Sequence, residues 1–225
     1  DDFAAVGGGW KNTASGEFSS VGGGNQNTAS GWSSAIQGGQ LNAAKGVFSF
    51  AAGRRAIANN QGCFVWGDST NADVTCSVND QWVARATGGV FFYTNTALNA
   101  GVKVTAGGGS WSSVSDRNLK ENCAPVDGQS VLRKLAGIPI TLWNYKSQDK
   151  AIRHIGPVAQ DFAAAFGVGE DNVSISTVDA DGVALAAIQG LYEIVQEKDA
   201  QIADLEARVA ALEALVAQLA QGGKR

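Results

Sequence analysis

Short alternating runs of apolar and polar residues fill the first part of the chain, and they return in phase. Asn12-Thr13-Ala14-Ser15-Gly16 comes back as Asn27-Thr28-Ala29-Ser30-Gly31 and again as Asn42-Ala43-Ala44-Lys45-Gly46, a period of 15 residues. Gly8, Gly23, Gly38 and Gly53 keep that spacing, as do Val6, Val21, Ile36 and Ala51, and a fourth turn closes one residue late at Gly62. Runs such as Glu17-Phe18-Ser19-Ser20-Val21 predict strands of about four or five residues. A unit this short cannot bury a core alone, but stacked units can, which predicts a parallel solenoid over residues 1–66 with glycines at its corners, some at φ > 0. A flexible linker has no reason to hold Val and Ile in fixed phase. The small residues leave little core per rung, so several chains are expected to share it.

The register dissolves at Cys63-Phe64-Val65-Trp66. Over residues 67–112 the runs Trp82-Val83-Ala84-Arg85-Ala86, Val90-Phe91-Phe92-Tyr93, Val102-Lys103-Val104 and Ser110-Trp111-Ser112-Ser113 are separated by turn signals and predict a compact β connector. Its aromatics are expected to cap the core of the roll. A stacking platform for sugars is the alternative use of the same rings.

From residue 113 the pattern changes to mixed α and β. Val131, Leu132 and Leu135 have helical spacing, Ile140 to Tyr145 reads as a strand, and a helix runs towards Phe166 and stops near Gly167. A further apolar helix starts after Ser176-Thr177-Val178, with Asp179 or Asp181 as its cap. Heptads follow from residue 188. Ile188, Val195, Ile202, Val209 and Val216 take position a, while Leu191, Lys198, Leu205, Leu212 and Leu219 take position d, so only Lys198 interrupts an apolar seam. β-branched a with Leu d favours two strands. Arg208 at g and Glu213 at e flank Val209 and Leu212 in a pattern that favours three, with Arg208 lying over the seam towards Glu213 of a neighbouring chain. Three is the expected number, because the roll also calls for several chains. Gly222-Gly223-Lys224-Arg225 reads as a frayed tail. The expected division is therefore roll repeats (1–66), β connector (67–112), an α+β domain (113–190) and a coiled coil with its tail (191–225).

Composition narrows the function. The 225 residues carry 17 basic and 21 acidic side chains, a net charge of −4, which does not suit a nucleic-acid binder. No apolar run is long enough for a membrane span, and the opening residues do not read as a secretory signal. The absence of Met suggests a piece of a longer polypeptide, with any export directed from upstream. One His and no Cys-x-x-Cys leave no metal-ligand cluster, and no cofactor is expected. Paired carboxylates for glycan hydrolysis are not evident. Of the 3 cysteines, Cys63 and Cys76 have small buried thiols as their default reading and a pairing across a hairpin as the alternative. Cys123 has no evident partner.

Two resemblances sharpen this reading. The in-phase Asn-x-Ala-x-Gly unit over residues 4 to about 62 resembles the head repeats of trimeric autotransporter adhesins, which implies a left-handed parallel β-roll packed three around an axis. Ser115-Asp116-x-x-Leu119-Lys120-Glu121-Asn122, Trp143-Asn144-Tyr145, His154-x-Gly156-x-x-Ala159-Gln160, and Val178-Asp179 leading to Ala187-Ile188-Gln189-x-Leu191 resemble, in order, the C-terminal intramolecular chaperone of endosialidases and other phage tail spikes and fibres. The family more usually has Arg directly before the Leu-Lys pair, where this chain has Asn118.

The resemblance implies a homotrimer on a virion tail or bacterial cell surface. Its C-terminal domain folds first, seeds the β-fibre and then cuts itself off between Val114 and Ser115. Ser115 would be the nucleophile and Lys120 the general base, with Asp116, Asn122, His154 and Gln160 in support. For His154 a neutral, hydrogen-bonded structural role is the other reading. A serine hydroxyl is a weak nucleophile until a base removes its proton, and a lysine serves as that base only where desolvation disfavours its charged form. Trimer assembly could supply such a site. On a helix, five residues at about 100° each would set Ser115 and Lys120 about 140° apart, so the stretch must be a strand end or bent loop. The implied activity is that of a single-turnover serine autoprotease in a host-attachment fibre, with a cell-surface glycan or receptor as possible partner. The alternative is a permanently capped structural adhesin in which Ser115 is inert.

Overall fold

A computed structural model describes residues 3–222. The tail expected at Gly223-Lys224-Arg225 and the first two residues of the chain lie outside the described residues. The chain divides into two units, Asp1–Ser115 and Asp116–Arg225.

The first unit is a parallel β-solenoid followed by a small antiparallel sheet. Its strands are β1 (Ala5–Val6), β2 (Thr13–Ala14), β3 (Ser20–Val21), β4 (Thr28–Ala29), β5 (Ala35–Gln40), β6 (Ala43–Ala44), β7 (Phe50–Arg54), β8 (Ala56–Ala58), β9 (Phe64–Gly67), β10 (Val74–Thr75) and β11 (Trp82–Arg85). Odd strands form a six-stranded wall in the order β1-β3-β5-β7-β9-β11, and even strands form a five-stranded wall in the order β10-β8-β6-β4-β2. Ser20 pairs with Ala35 and Thr13 with Thr28, so the 15-residue period of the sequence is the length of chain in one coil.

The solenoid continues to Arg85, beyond the expected end near residue 66. β9 and β11 pair in parallel over Phe64↔Trp82 to Gly67↔Arg85, with a longer excursion between them. A register shift between Ile36 and Gly39 shortens the next coil, so Gly39 pairs with Gly53 while Ile36 pairs with Ala51. Gly9, Gly24, Gly39 and Gly53 are therefore one file of left-handed glycines, with φ between 88° and 102°, and Gly8, Gly23 and Gly38 do not share that conformation. A Cβ on any of the left-handed four would run into the carbonyl of the next coil. Two further corners per coil are left-handed without glycine, for example Phe18 and Gln26 at φ 59° and 56°. Stacking of successive corners holds them, as in the aromatic file Phe3, Phe18, Trp32 and Phe48, with centroids 5.0–5.8 Å apart.

The interior is thin, as its small residues require. Val21, Ile36, Ala51 and Val65 form one buried file, and Ala29, Ala44 and Ala58 form another. A third is polar. Asn27 and Asn42 are fully buried, and their side chains make a ladder from coil to coil. The Asn12 carboxamide oxygen accepts from the Asn27 backbone N–H (3.0 Å), that of Asn27 from Asn42 N–H (3.0 Å), and that of Asn42 from Ala56 N–H (2.9 Å). Each Nδ2 in turn donates to glycine carbonyls of its own coil and of the next, as Asn27 does to Gly23 and Gly39 at 3.0 Å.

The last coil is closed by a charged knot. Arg85 donates to Asp68 (2.9 Å) and to the carbonyls of Ala72 (2.7 Å), Thr70 (3.0 Å) and Arg54 (3.3 Å). The hydroxyl and amide of Thr87 donate to the other Asp68 oxygen at 2.7 and 2.8 Å. These Thr87 bonds first, and then Arg85, hold the Asp68 carboxyl far below the usual carboxylate range.

β12 (Gly89–Tyr93), β13 (Gly101–Thr105) and β14 (Ser112–Ser113) make the antiparallel sheet. Its aromatics do not cap a core within the chain. Phe91 stacks on Tyr93 and Phe92 on Trp111, and all four are roughly half exposed. Among the described residues of the first unit no second layer covers these three short strands.

The second unit holds a 3₁₀ turn (Arg117–Leu119), α1 (Gly128–Gly137), the paired strands β15 (Thr141–Trp143) and β16 (His154–Gly156), α2 (Ala159–Phe166) and α3 (Thr177–Gly222). Asp127 caps α1 by accepting from Ser130 N–H at 2.9 Å, and Gly167, left-handed at φ 63°, ends α2. The Ser176 hydroxyl accepts from Val178 N–H (3.2 Å) at the start of α3. It takes the capping role expected of Asp179 or Asp181, and Asp179 lies inside the first turn instead. α3 is continuous over 46 residues, with no break between the predicted domain helix and the heptads. α1 packs on it where Gly128 meets Gly190 backbone to backbone, a contact no side chain would permit. Phe162 and Ala187 are the only fully buried hydrophobic residues among the described residues of this unit.

Two consequences are open to measurement. Asn27→Ala should lower the unfolding temperature of the solenoid, because each partner left bare in the interior costs about 1–3 kcal/mol. Asn12→Ala, at the open end of the ladder, should cost less; equal effects at the two positions would count against the ladder. Asp68 has a depressed folded pKa, so its contribution is complete above the ordinary carboxylate value of about 3.9 and fades as pH falls below it. Asp68→Asn should therefore melt below wild type at neutral pH, and the gap should narrow below about pH 4. A gap that is constant with pH would rule the knot out as the acid-sensitive element.

Candidate functional site at the Ser115 junction

The stretch that carries the predicted chemistry begins where the antiparallel sheet ends. β13 and β14 pair through Val102↔Ser113 and Lys103↔Ser112, and Val114 N–H donates to Gly101 O at 3.1 Å. Val114 is thus tied to that sheet by a backbone bond. Ser115 closes the first unit and Asp116 opens the second.

Ser115 and Lys120 both lie outside helical backbone, as their five-residue spacing demands. Asp116 is extended (φ −70°, ψ 134°) and caps the 3₁₀ turn, accepting from Asn118 N–H at 2.9 Å and Asn118 Nδ2 at 3.0 Å. Lys120 is extended again (φ −116°, ψ 144°), and its N–H donates to Arg117 O at 3.2 Å. The N-cap of this turn is therefore Asp116. Asn118, the departure from the family pattern, is what Asp116 grips, a role no position-by-position comparison would suggest. Asn122 is left-handed at φ 56°, a conformation that Asn tolerates better than most side chains. Residues 111–127 are exposed throughout.

The other predicted supporting residues are held elsewhere in the second unit. His154 sits on β16 with its ring against Trp143 (4.7 Å between centroids) and edge-on to Tyr145 (5.6 Å), and its Nε2 shares a 2.8 Å hydrogen bond with Gln148 Oε1. β15 supplies Trp143 opposite His154 by direct cross-strand pairing. Gln160, in the first turn of α2, lines a cleft of about 530 Å³ with Trp143, Tyr145 and Ser174. A second, more apolar cleft of about 470 Å³ is bounded by Val126, Val131, Phe166, Val168, Val178 and Val183. Sequence reasoning missed Gln148 and the Gly128–Gly190 contact, since neither belongs to a motif.

On α3 the described a and d positions are open. Ile188, Leu191, Val195, Ile202, Leu205, Val209, Leu212, Val216 and Leu219 are between 45% and 68% exposed. Arg208 leans back along its own helix to Asp204 (3.7 Å), an exposed pair of little weight. Glu213 borders a shallow hollow formed by Ile202, Leu205, Glu206, Val209 and Ala210. No group of side chains suited to hold a metal ion is present among the described residues, and no described helix is long and apolar enough to cross a membrane.

The first unit is a parallel β-solenoid with a small antiparallel sheet, and the second is mostly helical with few buried hydrophobic residues among those described. Residues 115–169 match the family described as the chaperone of endosialidase, so the second unit carries a domain of that family. The match opens at Ser115 and takes in Lys120, Trp143-Asn144-Tyr145, His154 and Gln160, and it ends before α3. No curated protein matches the chain.

Proposed function

We propose that this chain is the C-terminal part of a homotrimeric tail fibre, tail spike or adhesin, whose chaperone domain drives trimerisation and β-fibre folding and then releases itself by autoproteolysis. In this reading the solenoid is a left-handed roll packed three around an axis, α3 forms a parallel three-stranded coiled coil, and Arg208 pairs with Glu213 of a neighbour. The fibre serves host attachment from a virion tail or a bacterial surface, with a glycan or receptor as its target.

The observation that carries the proposal is the family match opening at Ser115, joined to a helix whose heptad seam is exposed among the described residues. With so few buried apolar side chains, the second unit gains most of its stability from association. Helix zippering is local and fast, while parallel β pairing is non-local and slow, so a C-terminal bundle is suited to gather three chains before their coils wind.

The self-cleavage is an acyl shift followed by hydrolysis. Lys120 removes the Ser115 hydroxyl proton, and Oγ attacks the Val114 carbonyl carbon. The tetrahedral intermediate collapses to an ester as the Ser115 nitrogen leaves, taking the proton back from Lys120. Water then hydrolyses the ester to give a Val114 carboxylate and a free Ser115 N-terminus. Ser115 and Lys120 are exposed in the single chain. Neighbouring subunits would provide the water-poor surroundings in which a lysine gives up its proton, which ties the cut to completed assembly.

Denaturing electrophoresis of assembled protein should show fragments of 114 and 111 residues, the second beginning at Ser115. Ser115→Ala should stay whole while still assembling. An assembled wild type that remains intact on long incubation would leave the permanently capped adhesin as the reading. The chaperone role has its own test. A chain ending at residue 112 should aggregate or misassemble when expressed, and a soluble, correctly assembled product from residues 1–112 would refute it.

A further inference from the structure

Cys63 and Cys76 are joined by a disulfide inside the solenoid, Cα to Cα 6.5 Å, rather than standing as separate thiols or bridging a hairpin. Their place in the stack shows what the bond does. Phe50 pairs with Phe64 and Ala35 with Phe50, so Cys63 continues the buried file of Ser19, Ser34 and Ser49. Val74 pairs with Ala56 and Ala43 with Ile57, so Cys76 continues the buried file of Ala29, Ala44 and Ala58. The disulfide thus occupies, in the last coil, the place that a serine and an alanine hold in the three coils before it. The serine hydroxyls of that file make no hydrogen bond, so a sulfur there forfeits none.

The last coil is also where the repeat is weakest. The connection from Cys63 to Cys76 spans 13 residues, against 9 from Ser49 to Ala58 and 10 from Ser34 to Ala44. β10 and β11 are the terminal strands of their two walls, so no further coil covers the interior beyond them.

We propose that Cys63 and Cys76 are an oxidation-dependent clamp that ties the two walls together at the end of the solenoid, set by a disulfide-bearing oxidant and released by thiol reductants. In setting it, one thiolate attacks the oxidant's disulfide and expels a thiolate. The second cysteine, as thiolate, then attacks the mixed disulfide and expels the other. Two cysteine thiols have then lost two protons and two electrons, and the oxidant has become two thiols. Both sulfurs are buried, so exchange proceeds through fraying of the last coil, and the bond suppresses the fraying that permits it. The clamp is stable in an oxidising environment and open in a reducing one. The end of the solenoid therefore stiffens when the chain passes from the second to the first.

The test uses the full chain in three forms: wild type, Cys123→Ser, and the double variant Cys63→Ser/Cys76→Ala, which restores the pair found in the other coils. Air-oxidised wild type, unfolded without reductant and treated with an alkylating agent, should take up one equivalent, at Cys123. Reductant should lower the unfolding temperature of wild type and of Cys123→Ser by roughly 5–10 °C. The double variant should melt at the reduced wild-type temperature, with or without reductant. Three alkylated thiols in the oxidised wild type, or a Cys123→Ser melting temperature indifferent to reductant, would overturn the clamp. Should the double variant fail to fold, the response of Cys123→Ser to reductant decides the matter alone.

Discussion

No coil of the solenoid satisfies its own backbone. A 15-residue turn with interior side chains as small as alanine and serine cannot hide its amides from one another. Nearly every interior donor is answered one coil away, as Ser20 N–H is by Ser34 O and Thr28 N–H by Asn42 O. The asparagine file is the same arrangement carried by side chains. The close glycine approaches and the left-handed corners follow from it, because the coils must come within backbone hydrogen-bonding distance at every point of the circuit. What the interior lacks in apolar area it makes up in this complete and repetitive pairing.

Such a structure has trouble at its ends, where the answering coil is missing. The knot of Asp68, Arg85 and Thr87 closes the distal end with charge, and the cystine closes it with a covalent bond. Both lie in the longest coil of the solenoid, where Phe64 pairs with Trp82. The proximal end has no comparable device among the described residues. Val6 is 45% exposed, whereas its counterpart Val21 is buried. β1 is the edge strand of its wall.

How far the structure could be read in the residues depended on whether a feature was periodic. The stacked coils were legible because Val21, Ile36 and Ala51 mark the same interior point at equal intervals. The extension to Arg85 was not, because the longer excursion before Trp82 breaks the interval while preserving the pairing. The cystine was hidden for the same reason, since its two residues are neighbours only once the files are stacked. The aromatics of β12 to β14 misled in a different way. Large apolar side chains predict burial but do not say which layer covers them, and among the described residues of the first unit none does. At the junction the motif located Ser115 and Lys120 and their non-helical backbone. The grip of Asp116 on Asn118 depends on a turn that has no sequence signature of its own.

The uninterrupted α3 also acts as a shaft that preserves angular phase. Gly190, which α1 touches, and the seam marked by Ile188 and Leu191 sit on one rigid helix. At 100° per residue, Gly190 is turned about 200° from Ile188 and about 100° from Leu191. In the proposed trimer, closing the seam around an axis would set the azimuth of α1 at the same moment. Zipping the heptads would then orient as well as gather, and a one-residue slip along the shaft would rotate the docked helix by more than a quarter of a circle.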